Sequence, residues 1–355
     1  MNNMEIIDIV NMFDVYNHVD SFKPIDNGHI NITYLVTLKN GSRYVLQKIN
    51  NYAFKDIDML MSNISLVSNY LTDHGFESLT PIKTKEGNLY LHLEDSYYRL
   101  YVFIEDTVCY EKMDSMYLVY NDGKAFGKLH RALAGFDASK LGEVIPDFHN
   151  TYQRYLNLID AIKLDKCNRV KLCANEIAVI NSFKDEYSKI VDGINNGEIS
   201  LAVTHNDPKI NNVLFDKFSG DIRAIIDLDT IMPGSYLYDY GDALRSLFTG
   251  DNEDSKDLSS LKVDLDIFEA YSKGYLSEMK NVLTPKEIEL LPFAPFLIAM
   301  ELAMRFLEDY LRGDVYFKCN YFNQNLIRAR TQLYLAQNIM ANKNALTRIV
   351  NKLLK

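Results

Sequence analysis

The sequence predicts an α+β chain of two lobes: a small antiparallel-sheet lobe over residues 1–103, then a mainly helical lobe over 104–355. Three observations carry this. Short segments of alternating polarity dominate up to about residue 105. Long segments of helical periodicity dominate after about residue 115. One β-like island, 201–231, interrupts the helical part.

In chain order, 29–38 reads as a strand, Lys39-Asn40-Gly41-Ser42 as a turn and 43–49 as the returning strand, so the pair is a hairpin. A helix over 56–71 follows, with Ile57, Leu60, Met61, Ile64, Val67 and Leu71 on one face. Residues 89–93 and 98–104 are two further strands. In the second lobe, 117–134 places Val119, Tyr120, Phe126, Leu129 and Leu133 at helical spacing. Helices are also expected over 150–165, 174–193, 263–281, 285–312 and 322–353.

The 355 residues are 47% apolar, enough for a large core, and the net charge of -10, with no Lys/Arg run, argues against the basic surface that nucleic-acid binding uses. No nucleic-acid partner is expected. Cys109, Cys167, Cys173 and Cys319 have neither disulfide-framework nor zinc-site spacing, which fits thiols of a reducing compartment. The N-terminus lacks the basic region and apolar run of a signal peptide. The apolar stretch 290–307 is broken by Pro292, Pro295, Glu301 and Arg305, so it reads as a buried helix and not a membrane span. A cytoplasmic protein with no membrane partner is expected.

The island carries the chemistry. It reads Thr204-His205-Asn206-Asp207-Pro208-Lys209-Ile210-Asn211-Asn212-Val213-Leu214-Phe215, then Ile225-Ile226-Asp227-Leu228-Asp229-Thr230, then Tyr238-Asp239-Tyr240-Gly241-Asp242. A polar loop running into a strand can aim its first Asp at a substrate and its later Asn at a metal. Phosphoryl transfer needs both: a carboxylate to orient a hydroxyl and accept its proton, and oxygen ligands for a hard divalent cation beside the phosphates. The pattern His-x-Asp-x-x-x-x-Asn followed by an Asp is that of a kinase catalytic loop and its magnesium carboxylate. Asp207 is therefore the expected base, and Asn212 and Asp227 the expected Mg²⁺ ligands.

On these residues the chain resembles the aminoglycoside phosphotransferase and choline kinase superfamily, over essentially its whole length. The resemblance implies a bilobal protein-kinase-like fold. ATP would be the phosphoryl donor with Mg²⁺ in the cleft, and the acceptor would sit on the large-lobe side. Within the superfamily, three segments look like N-acetylhexosamine 1-kinases: Thr-His-Asn-Asp-x-Lys-x-Asn-Asn-Val, Ile-Asp-Leu-Asp-Thr-x-Met-Pro-Gly and Tyr-Asp-Tyr-Gly-Asp-x-x-Arg. Gly28-His29-Ile30-Asn31, Thr33-Tyr34-Leu35-Val36, Ala125-Phe126-Gly127, Arg305-Phe306-Leu307 and Asp309-Tyr310 are similar to the same group. This implies transfer to the anomeric hydroxyl of N-acetylglucosamine or N-acetylgalactosamine. A kinase of choline, homoserine, methylthioribose or an aminoglycoside is the alternative, and a nucleotide-binding pseudokinase a further one.

Several residues keep two readings. His205 is expected to brace the loop by hydrogen bonding. Asp229 could bind sugar hydroxyls or a second metal, or be a satisfied carboxylate. Asp239 and Asp242 either cap a following helix or support the catalytic loop. Lys48, in Val45-Leu46-Gln47-Lys48, matches the phosphate-binding Val-x-x-Lys strand, yet no Glu lies between 50 and 76 to pair with it; Asp56 or Asp58 could substitute. Gly28 and residues 29–33, with Asn31 and Thr33 among them, would face the phosphates. Backbone groups at Val102 and Ile104 would bind adenine. Arg305 either pairs with Glu301 one turn before it or reaches the sugar pocket. With no Trp but 24 Tyr and 18 Phe, any sugar stacking must use Tyr or Phe.

Overall fold

The computed structural model describes residues 3–25, 30–250, 253–255, 257–258 and 261–355. The chain divides into two compact units. The smaller comprises Met1–Cys109, Lys140–Ile145 and Asn212–Ile231; the larger comprises Tyr110–Ser139, Pro146–Asn211 and Met232–Lys355. The smaller unit is thus not the contiguous stretch expected, since it takes a hairpin from the second half of the chain.

In the smaller unit, α1 (Asn3–Val10) precedes β1 (Val19–Ile25), β2 (Ile32–Leu38) and β3 (Arg43–Ile49). Then come α2 (Ile57–Asp73), β4 (Pro81–Ile82), β5 (Leu91–Leu93), β6 (Ser96–Val102) and β7 (Thr107–Val108). Six strands form an antiparallel sheet in the order β1-β2-β3-β6-β4, with β5 also on β6. The β2–β3 hairpin turns where the sequence places it, with Gly41 at φ 87°, a left-handed position that suits glycine. One sheet face packs Val36, Leu38, Leu46, Tyr98 and Leu100 against Ile6, Ile9 and Val10 of α1. The helix α1 and strand β1 were not expected; both are short, and neither has a clean period.

Asp56 caps α2 by accepting from the Met59 N–H at 2.8 Å, and the expected apolar face is buried. Asn63 on that face donates to the carbonyls of Gly142 (2.7 Å) and Ile231 (3.0 Å). These bonds explain why 140–145 and 212–231 belong to this unit. The latter segment holds β9 (Val213–Asp216) and β10 (Ile222–Ile225), an antiparallel pair extended by β7.

The larger unit contains α3 (Met116–Leu133), α4 (Thr151–Leu164), α5 (Ala174–Ser182), α6 (Lys189–Asn195) and β8 (Ala202–Thr204). It continues with β11 (Met232–Gly234), α7 (Tyr236–Thr249), α8 (Leu265–Met279), α9 (Pro285–Leu290), α10 (Ala294–Arg312) and α11 (Gln324–Leu353). Helices α3 and α8 touch backbone to backbone. A Cβ on Gly274 would lie 1.9 Å from the Tyr120 carbonyl oxygen, and one on Gly123 would lie 2.2 Å from that of Tyr271. The helix α10 is buried nearly all round.

Two expected helices are broken. The 285–312 segment splits at 291–293, where Pro292 cannot continue the hydrogen-bond ladder and Pro295 suits a first turn. The 174–193 segment kinks through a 3₁₀ turn at Lys184–Glu186, which lets Phe183 meet Phe296 (ring centroids 5.1 Å) and buries Tyr187. Among the described residues, no helix is long and apolar enough to cross a membrane.

Candidate active site

In the larger unit, Thr204 of β8 pairs with Met232 of β11, and the chain leaves the strand at His205. The next turn is organised by one buried carboxylate. Asp239 accepts from the backbone N–H of His205 (2.7 Å) and of Asn206 (2.7 Å), and from His130 Nε2–H (2.8 Å). His130 Nδ1 in turn lies 2.8 Å from the Tyr275 hydroxyl oxygen. Burial pushes the Asp239 carboxyl up, but the hydrogen bond and charge of His130, with help from His205, outweigh it and hold the carboxyl below the ordinary range. Asn206 sits at φ 64°, a left-handed conformation in which these bonds hold it.

Asp239 therefore supports the loop. It lies inside α7, whose cap is Ser235, so the capping alternative fails for both Asp239 and Asp242. Asp242 pairs instead with Arg245 in its own helix at 2.8 Å.

His205 is fully buried, packs edge-on to Phe126 at 5.6 Å and accepts the Asp207 N–H on Nδ1 at 3.3 Å. That is a bracing geometry. Asp207 keeps partial exposure, and one of its oxygens lies 2.6 Å from Lys209 Nζ. Lys209 stands inside the quoted motif, but its pairing with Asp207 was not foreseen.

In the smaller unit, Asn212 leads into β9 and Asp227 follows β10. Pairing of Val213 with Ile225 brings the two segments together, and the Asn212 carbonyl accepts from Ile226 N–H at 2.9 Å. The two expected metal ligands thus lie at the same end of one hairpin. One amide and one carboxylate leave room for the waters and phosphate oxygens that Mg²⁺ ordinarily keeps, so the donor set fits that ion. Asp227 has φ 61° and opens the 3₁₀ turn Leu228–Thr230.

Asp229 has a partner the sequence did not reveal. Its carboxylate lies 2.6 Å from Arg99 Nη2 and accepts from Asn31 Nδ2 at 2.7 Å. It is 4% exposed, with Oδ1 facing Arg99 and Oδ2 facing Asn31. Burial alone would push the Arg99 guanidinium down; Asp229 first, then Tyr101 and Asp227, hold it above its ordinary value.

The residues expected at the nucleotide have these neighbours within the smaller unit. Lys48 pairs across strands with Tyr98, its ammonium 5.8 Å from that ring, on the sheet face shared with Leu46. Strand alternation puts it opposite Gln47 and Arg99, away from the Asp229 face. Asn31 and Thr33 are turned inward: Asn31 binds Asp229 and the Asn50 N–H, and Thr33 accepts from Gln47 Nε2 at 3.2 Å. The Val102 N–H is already committed to the Thr80 carbonyl at 3.0 Å. The Ile104 carbonyl accepts from Thr107 Oγ1 at 2.9 Å and retains a second lone pair for adenine. Gly28 and His29 lie outside the described residues.

Arg305 does not pair with Glu301, whose carboxylate instead accepts from His149 Nδ1 (3.0 Å) and Thr151 Oγ1 (3.0 Å). The Arg305 guanidinium lies 5.1 Å from the Phe148 ring and 5.7 Å from that of Phe317. The His149 ring meets Tyr238 at 5.1 Å, one residue before the loop-bracing Asp239.

Known structures share this architecture. An aminoglycoside phosphotransferase from Alicyclobacillus acidocaldarius superposes with a TM-score of 0.66 at 13% identity, over 97% of this chain and 96% of that one. A microcompartment-associated aminopropanol kinase gives 0.63 at 15% identity, over 98% and 99%. An amicoumacin kinase solved with AMP-PNP and Ca²⁺ gives 0.61 at 14% identity, over 95% and 94%. At such identities the likeness speaks for the fold. Residues 21–275 match the model of the phosphotransferase enzyme family, a span that contains the Asp207 loop, the Asn212 and Asp227 hairpin and the Asp239 brace; this chain belongs to that family.

Proposed function

We propose that the chain is an ATP-dependent kinase that phosphorylates the anomeric hydroxyl of an N-acetylhexosamine, N-acetylglucosamine or N-acetylgalactosamine. Family membership supports a phosphotransferase acting on a small-molecule alcohol. A neighbouring structure that carries AMP-PNP supports ATP as the donor. In this reading Asp207 orients the acceptor hydroxyl and takes its proton, and Lys209 Nζ lies 2.6 Å from one of its oxygens. Asn212 and Asp227 would hold Mg²⁺, which supplies charge neutralisation at the phosphates. His205 and Asp239 keep the loop in shape before substrate arrives.

The observation that carries the choice of acceptor is the setting of Arg305. It lies between Phe148 and Phe317, and its ionic neighbours are not free carboxylates. Glu301 is consumed by His149 and Thr151. Asp309 is consumed by the backbone N–H groups of Val315, Tyr316 and Phe317. Arg154, lowered by burial first and by the charge of Arg305 second, adds a second cation. A cationic acceptor such as choline, ethanolamine or an aminoglycoside calls for an acidic or aromatic cage without competing cations. Two arginines and aromatic faces suit a neutral sugar with hydroxyl and amide oxygens.

The test is ADP release from Mg-ATP with N-acetylglucosamine, N-acetylgalactosamine, glucose, choline and kanamycin, alongside a reducing-end assay. Turnover of the N-acetyl sugars with loss of the reducing end supports the reading. Turnover confined to choline or kanamycin overturns the acceptor and leaves the kinase.

A further inference from the structure

The smaller unit contains a chain of interacting polar side chains that starts and ends on one segment. Thr33 stands opposite Gln47 across β2 and β3, and Gln47 opposite Arg99 across β3 and β6. Gln47 donates to Thr33 Oγ1 at 3.2 Å and accepts from Arg99 Nε at 2.9 Å. Arg99 then meets Asp229 at 2.6 Å, and Asp229 accepts from Asn31 at 2.7 Å. Asn31 lies two residues before Thr33, so the series returns to the segment from which it began.

Arg99 is 1% exposed, lies 5.3 Å from the Tyr101 ring, and has Nη1 3.9 Å from Met61 Sδ of α2. A guanidinium buried this deeply persists only with a charged partner, and removing that partner is expensive. The partner is on the turn that carries Asp227. That residue has φ 61°, a left-handed conformation that a non-glycine residue keeps only where its surroundings over-determine it. Two anchors do so. Before it, Ile226 N–H is tied to the Asn212 carbonyl; after it, Asp229 is clamped by Arg99 and Asn31.

We propose that Arg99 is a positioning residue for the metal-binding carboxylate of Asp227, which it holds by clamping Asp229, and that it replaces Lys48 as the functional cation of the smaller unit's sheet. The inference rests on the reading of Asn212 and Asp227 as the Mg²⁺ ligands. It accounts for the missing glutamate on α2. The cation does not rise from the Val-x-x-Lys strand toward a helix carboxylate; it rises from the neighbouring strand toward the turn itself.

The experiment is Mn²⁺ binding read by electron paramagnetic resonance, with a non-hydrolysable ATP analogue present, for wild type and the R99M, R99K, K48M and D227N variants. Folding of each is checked by circular dichroism. Loss of a residue that orients a metal ligand weakens metal affinity by about 10–100-fold, and that is the expectation for R99M. R99K should recover part of it, because an ammonium keeps the charge but not the forked geometry. K48M should bind as wild type does. D227N should lose binding, which would hold the metal reading in place. Wild-type affinity in folded R99M, or in R99K if R99M does not fold, overturns the inference while D227N loses binding. Wild-type affinity in D227N overturns the metal reading and the inference together.

Discussion

Replacing Asp239 by Asn removes one charge from a fully buried point where three N–H donors converge, from His205, Asn206 and His130. The Asn side chain offers one acceptor oxygen and one NH₂ group. In either orientation the NH₂ must face at least one of those donors. Breaking a buried, charge-assisted set of this kind costs about 3–5 kcal/mol. At about 2–4 °C per kcal/mol for a unit of this size, the melting temperature should fall by roughly 6–20 °C. The effect has a definite pH signature. The folded carboxyl lies below its ordinary range, so its stabilisation is complete above the unfolded value of about 4 and is lost as pH falls through the folded value. The gap between wild type and D239N should therefore be full at neutral pH and narrow on acidification below about 4. Thermal melts at several pH values measure it, and kcat measured well below the melt should fall as the Asp207 loop loses its brace. An unchanged melt at neutral pH, with unchanged kcat, would refute the claim that Asp239 holds the loop.

Three further outcomes follow from the same reasoning. Asp122 in α3 is fully buried, neither carboxyl oxygen has a hydrogen-bond partner, and burial holds its carboxyl well above the ordinary range. The folded state keeps the proton that the unfolded state releases above about pH 4, so wild type should lose about 1.4 kcal/mol per pH unit from there upward, until the folded value is reached. D122N should escape that slope, melting higher than wild type near neutrality and alike near pH 4; parallel pH profiles would contradict this. G274A should drive a methyl into the Tyr120 carbonyl, 1.9 Å from the new Cβ, and destabilise the α3–α8 contact by about 1–3 kcal/mol or more in chemical denaturation. R305M should raise the acceptor KM more than the ATP KM in steady-state assays, and equal changes in both would remove Arg305 from the acceptor side.

The sequence was legible where a period or a motif is local. The β2–β3 hairpin, the buried face of α2 and the order of the Asp207 loop, the following strand and the Asp227 turn all follow from neighbours within a few residues. What escaped depends on partners distant in sequence. Strands β8 and β11 have three residues each and are strands only because they pair with each other. Arg99, within Tyr-Tyr-Arg-Leu-Tyr, reads as an exposed cation until Asp229 is brought against it. His130 looks like one more helix residue until α7 presents Asp239. Lys48 shows what a linear motif leaves out. The motif match ignored face parity, and alternation along β3 places Lys48 opposite Gln47, on the side covered by α1. Pro292 was visible, yet the apolar run around it hid the break between α9 and α10.

The most direct test of the central claim is the structure of the product. Wild-type protein incubated with Mg-ATP and N-acetylglucosamine, then N-acetylgalactosamine, is followed by ³¹P and ¹H nuclear magnetic resonance, with D207N in parallel. The account predicts a new phosphomonoester whose phosphorus couples to the anomeric proton, formed by wild type and absent with D207N. Phosphorus coupled to any other ring position, or an anomeric phosphate formed as readily by D207N, would contradict it.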